Sequence, residues 1–173
     1  MTMFPPSQVL GSNLISLLRK GVLTPDDIYI VAPKVTPNPN STGQSPLQVL
    51  ENVLCENGVP VFISSSDYGG VNEDVIAGKV LFSTIHVSKG LERKLVVVFS
   101  FEKSYFTYFG KDSPPGVCPC TLYVAATRAT DLLCVVAEKM PGDHLPFLRR
   151  LDLEGNPAVT VHRLPLTSLS AGA

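Results

Sequence analysis

The chain has 173 residues, a length that suits one domain around one core, with 45% hydrophobic residues to fill it and 17% charged. Its formal net charge of -1 excludes the broad basic excess of a freestanding nucleic-acid binder. Any contact with nucleic acid is therefore confined to a small local site, or to one shared with another domain.

The N-terminus "MTMFPPSQVL" lacks a charged region followed by an apolar one, and no apolar run is long enough to span a bilayer. Neither secretion nor a membrane partner is expected. Of the four cysteines, Cys55 and Cys134 lie in apolar patterns and read as small core residues. Cys118 and Cys120 form "CPC", but no second Cys/His cluster completes a tetrahedral set, so no metal site is assigned. The expectation is an intracellular protein of a reducing compartment, cytoplasmic or nuclear.

In chain order, "SNLISLLRKG" carries Leu14, Leu17 and Leu18 at helical spacing and stops at Gly21. After the turn at Pro25, "DIYIVAP" predicts a short strand that Pro33 ends, and "KVTPNPNSTGQS" has loop composition. "SPLQVLENVLCENG" predicts a helix with Ser45 as N-cap, Pro46 at its first position and Gly58 as stop. Its apolar stripe is Leu47, Val49, Leu50, Val53 and Leu54.

"VPVFISS" predicts a strand, and "DYGGVNEDVIAG" a loop with one helical turn. "KVLFSTIH" and "RKLVVVFSF" are strands without polar alternation, as in parallel sheets covered on both faces. "CPCTLYVAATRAT" predicts a helix and "DLLCVVAEK" a strand; "HLPFLRRL" suits a short helix and "AVTVHRL" a last edge strand. Strands alternating with helices predict a doubly wound α/β fold, a mainly parallel sheet with helices on both faces. Ligands in such folds bind at the carboxyl ends of the strands. Two polar clusters are expected there: Thr84 to Glu92, and Pro33 with Lys34.

In "TIHVSKGLE", Thr84 and Ser88 offer hydroxyls, Lys89 a cation and Gly90 a backbone free to come close, the parts of an anion-contacting turn. Taken alone, the stretch fits equally a plain connection with a solvated Lys89, and His86 without context reads first as a core or loop histidine bonded to backbone rather than as a ligand contact. In "TLYVAATRAT", Leu122, Ala125, Ala126 and Ala129 form one helical stripe, and Arg128 projects off it from a rigid support. Such a guanidinium suits phosphate oxygens; the plain alternative is a surface arginine favouring the helix C-terminus.

Together the two segments resemble motifs V and VI of the UvrD/Rep/PcrA family of superfamily 1 DNA helicases. Motif V of that family reads T-x-H-x-x-K-G-L-E, matched by Thr84, His86, Lys89, Gly90, Leu91 and Glu92. Motif VI contains Y-V-A-x-T-R-A, matched by Tyr123, Val124, Ala125, Thr127, Arg128 and Ala129. The resemblance is sharp over residues 79–138 and looser upstream.

It implies a RecA-like (P-loop NTPase-like) C-terminal motor domain spanning 1–173, with a helical lead-in over 1–24, a core over 25–140 and an extension over 141–173. The family's motor has two such domains, with ATP between them and single-stranded DNA across both. The resemblance implies that Arg128 is the arginine finger on the ATP γ-phosphate, that Gly90 and Glu92 lie at the nucleotide, and that Thr84, His86, Ser88 and Lys89 lie along the DNA. ATP and Mg2+ would be held mainly by an N-terminal RecA-like domain, in the same full-length chain or a separate one, and not tightly by this chain alone.

There are departures. No G-x-x-x-x-G-K-[ST] and no D-E-x-Q-like stretch occurs, Pro33 stands where the family has an arginine, and Cys118–Pro119–Cys120 replaces the acidic and basic lead into motif VI. The alternative is therefore a helicase-like domain without a motor, serving to bind nucleic acid or dock a protein. A dinucleotide-binding domain is disfavoured, because no G-x-G-x-x-G stands at the first strand-helix turn.

Overall fold

The computed structural model describes residues 6–35, 44–64, 72–87, 90–99, 111–112, 114, 116–136 and 155–160. The elements are α1 (Pro6–Arg19), β1 (Ile28–Ala32), α2 (Pro46–Glu56), β2 (Val61–Ser64), α3 (Glu73–Ile76), β3 (Val80–Thr84), β4 (Arg93–Phe99), α4 (Cys120–Ala126) and β5 (Ala129–Val136). Short 3-10 turns at Pro25–Asp27 and Ile85–Val87 precede β1 and follow β3.

The strands form one sheet in the order β2-β3-β1-β4-β5, with every neighbouring pair parallel. β1 is wholly buried and lies at the centre, which explains why Ile28–Ala32 carries no polar alternation. β5 closes one edge and leaves Leu132, Leu133 and Val135 exposed.

Two apolar layers sandwich the sheet. On one face Ile28, Ile30, Val80, Phe82, Leu95 and Val97 pack with Leu14 and Ile15 of α1 and Leu50 and Leu54 of α2. On the other, Tyr29, Val31, Leu81, Val96 and Val98 meet Ile76 of α3, Ile85, and Leu122 and Ala125 of α4. Alternate residues of each strand thus feed opposite layers, which makes the fold doubly wound as expected.

The helix ends follow from the backbone groups left over there. Ser45 Oγ accepts from the Gln48 amide and Gln48 Oε1 accepts from the Ser45 amide, a capping box that starts α2. Gly21 and Gly58 take left-handed φ values of 67° and 73° after α1 and α2. The next amides, of Val22 and Val59, then donate back to Leu17 and Leu54, as in Schellman closures.

Several boundaries differ from the sequence reading. α1 begins at Pro6 rather than Ser12, so Gly11 lies inside it; a Cβ there would stand 2.7 Å from Val53 Cγ1 of α2. The glycine allows the two helices to touch. Cys55 is exposed on the outer side of α2 rather than in the core, while Cys134 is half-buried against the α1/α2 layer. Ala158–Thr160 is not strand: the Ala158 amide donates to Asn156 Oδ1 and the Val159 amide to the Asn156 carbonyl, making a turn. The predicted short helix 144–151, and the rest of the last predicted strand, lie outside the described residues.

Candidate functional site along the β3–β4 crossover

β3 and β4 flank β1, so the segment 85–92 must pass across β1 and return to the opposite end of the sheet. Parallel strands usually need about a dozen or more connecting residues, commonly a helix. Here the path is short and is held down by two apolar side chains. Ile85 is buried and Leu91 half-buried, and both pack on the layer that contains Tyr29 and Val31.

The polar residues of this segment are consequently spread from one rim to the other. Thr84 ends β3 at the carboxyl rim, with its Oγ1 buried and without a hydrogen-bond partner, and His86 is exposed beside it. Gly90 takes φ 84° in a turn where a Cβ would meet nothing within 4 Å. Its glycine answers a backbone requirement rather than a close approach within the chain. Glu92 stands exposed at the amino rim, just before β4. A β3 strand of five residues separates the rims by roughly 16 Å. The expectation that the whole cluster gathers at the carboxyl ends is thus corrected: Thr84, His86, Pro33 and Lys34 lie there, and Glu92 does not. Ser88 and Lys89 lie outside the described residues.

Arg128 joins Glu92 at the amino rim. α4 ends at Ala126, so Arg128 lies in the turn into β5 rather than on the helix as predicted. Its Nε donates to the Val124 carbonyl at 3.0 Å, its Nη2 lies 3.4 Å from Thr127 Oγ1, and its Nη1 stands 3.7 Å from Glu92 Oε1. The Nε bond meets a carbonyl that the helix end leaves free and fixes the side chain. Among the described residues the two Nη groups have only long contacts and retain most of their donors. The predicted stripe holds for Leu122 and Ala125, which are fully buried, whereas Ala129 reaches the same layer from β5. Tyr123 is exposed.

Two neighbours complete this rim. Lys94 Nζ pairs with Asp27 Oδ1 at 3.0 Å. The Thr24 amide, donating to the Asp27 carboxylate, holds its pKa below the ordinary value. Arg93 sits directly beside Arg128, its amide donating to the Arg128 carbonyl at 3.0 Å.

No family model matches the chain, and no curated protein matches it in sequence. Among solved structures, the C-terminal domain of a possible DNA helicase from Lactobacillus plantarum WCFS1 is similar, with a TM-score of 0.53 and 17% identity. The match covers 89% of this chain and 78% of that one. The fold is RecA-like, as in a helicase C-terminal domain.

Within this RecA-like sheet, sequence reasoning missed Arg93 and the internal polar chain of Tyr29. Arg93 opens a strand that is apolar from Leu95 onward and follows Glu92 directly, which was the available signal. Tyr29 Oη lies 2.5 Å from Ser83 Oγ, and Ser83 in turn donates to the Thr84 carbonyl at 3.0 Å. A relay from Tyr29 through Ser83 thus anchors the backbone where the crossover leaves β3. Among the described residues no group of three or more His, Cys, Asp or Glu is placed to hold a metal ion, and no helix is long and apolar enough to cross a membrane.

Proposed function

We propose that the chain is the C-terminal motor domain of an ATP-dependent DNA helicase or translocase of the UvrD/Rep/PcrA type. The observation that carries this reading is the meeting of Arg128 and Glu92 at one rim, joined through the crossover to Thr84 and His86 at the other. The likeness to a helicase C-terminal domain supports it at the level of fold.

In this reading ATP is gripped by a partner RecA-like domain, which also supplies the ligands of its magnesium ion. Arg128 directs its Nη donors at the γ-phosphoryl group and stabilises the charge spread over the oxygens during transfer. Its Nε anchor on Val124 keeps the guanidinium in place, so little reorganisation accompanies the reaction. Glu92, with Gly90 beside it, lies at the nucleotide edge. Thr84, His86, Ser88 and Lys89 contact the strand backbone. Ile85 and Leu91 tie the two ends of the crossover to the same apolar layer, which couples the two sites.

The test uses the full-length protein or the complex with the partner domain. Arg128→Ala is expected to lower DNA-stimulated ATP turnover by about 10³-fold or more while leaving DNA binding largely intact. Near-normal turnover would remove the finger assignment. Absence of turnover in the unmutated protein, with DNA binding retained, would favour a docking or nucleic-acid-binding module, the reading that Pro33 at the end of β1 supports.

A further inference from the structure

Arg93 and Arg128 begin adjacent rungs of the sheet. Arg93 pairs with Ala129 in the β4–β5 ladder, and its amide is bonded to the Arg128 carbonyl at 3.0 Å. Two guanidinium-bearing residues are therefore fixed side by side by backbone geometry, independently of their side-chain contacts.

Their surroundings differ in charge. Arg128 faces the Glu92 carboxylate at 3.7 Å, a long contact with a largely exposed partner. Lys94 is neutralised by Asp27 at 3.0 Å. Arg93 has no carboxylate partner among the described residues, and its Nε is buried without a hydrogen-bond partner. A shielded, unpaired donor on a charged group is costly to keep unless something answers it. The fields of both arginines also reach the Tyr29 hydroxyl, so the two charges bear on the same region of the sheet. Among the described residues, one carboxylate opposing two guanidiniums leaves this corner with excess positive charge.

We propose that Arg93 and Arg128 form a two-guanidinium clamp for a polyphosphate chain. The proposal rests on the nucleotide-facing role of Arg128 and adds a second contact that motif matching does not assign. Two forked donors carried by residues joined through the backbone can grip oxygens on successive phosphoryl groups, a wider reach than one arginine has. The ligand class is a nucleoside triphosphate or a bare triphosphate, whose shared chemistry is the linear polyanion.

The clamp is tested on the unmutated 173-residue chain with inorganic triphosphate as probe, followed by calorimetry and by the side-chain Nε–Hε resonances of its arginines. Binding is expected to weaken with salt, and the Arg93 and Arg128 resonances to move together. Arg93→Gln and Arg128→Gln are each expected to weaken binding about tenfold, with Arg93→Lys recovering part of the lost affinity. Repeating the titration with ATP separates the sources: equal affinity points to the polyphosphate alone, and tighter ATP binding adds a base or ribose contact to the clamp. If Arg93→Gln binds triphosphate as the unmutated chain does, or if the Arg93 resonance stays fixed while that of Arg128 moves, the clamp is overturned and the finger reading stands. If the unmutated chain binds no triphosphate, the clamp is also overturned, and ATP turnover of Arg128→Ala remains the separate test of the finger.

Discussion

The guanidinium of Arg128 and the carboxylate of Glu92 face each other at 3.7 Å, at the starts of two adjacent parallel strands. The pair is loose: Glu92 is 59% exposed and Arg128 19%. An arginine sealed into a tight bidentate bridge would have to break it before meeting a phosphate. Here the contact is long enough to give way.

A double-mutant cycle on Glu92→Gln and Arg128→Gln is expected to show a coupling energy below about 1 kcal/mol in urea unfolding, as for solvent-exposed pairs. A coupling of several kcal/mol would mean that the pair is a structural bridge and that the guanidinium is committed.

Gly90 is expected to tolerate no ordinary side chain without loss, because its φ of 84° lies in the left-handed region. Gly90→Ala should destabilise the fold by about 1–2 kcal/mol, and Gly90→Asn by less. Open space around the position means that the effect is conformational rather than steric. Equal stability of all three proteins in urea titrations would show that the turn adopts another conformation.

Tyr29 predicts a pH dependence. Burial pushes its hydroxyl up to about 12, and the Ser83 hydrogen bond and the fields of Arg93 and Arg128 only partly oppose that rise. The folded state therefore holds the proton at alkaline pH where the unfolded state, near its ordinary 10.0, releases it. The contribution is fully present below pH 10 and declines between about pH 10 and 12, by roughly 2–3 kcal/mol in all. Tyr29→Phe should flatten that decline while costing about 1 kcal/mol at neutral pH through the lost bond to Ser83. An unchanged alkaline unfolding profile in Tyr29→Phe would show that other groups cause the loss.

The strands at the centre of the sheet were legible because burial on both faces leaves a plain chemical record. Ile28–Ala32 and the valines of β4 carry the unbroken apolar run of strands covered on both faces. The cap of α2 was equally legible, since Ser45, Pro46 and Gly58 each act within one turn of the chain. The end of α4 was not. Thr127, Arg128 and Ala129 continue a helical pattern in sequence, yet pairing of Ala129 with Arg93 draws the chain into β5 two residues before the predicted strand. A ladder bond to a residue far away in sequence overrides a local preference.

The sequence by itself determined the layers, the parallel class of the sheet and the residue types gathered in 84–92 and 123–129, because periodicity and capping are local properties. Only the tertiary structure decided the strand order, and with it the path of 85–92 across β1. That path puts Thr84 and Glu92 at opposite rims and sets Arg93 against Arg128. Neighbours in a sheet are chosen by packing between distant segments, and spacing along the chain carries no record of that choice.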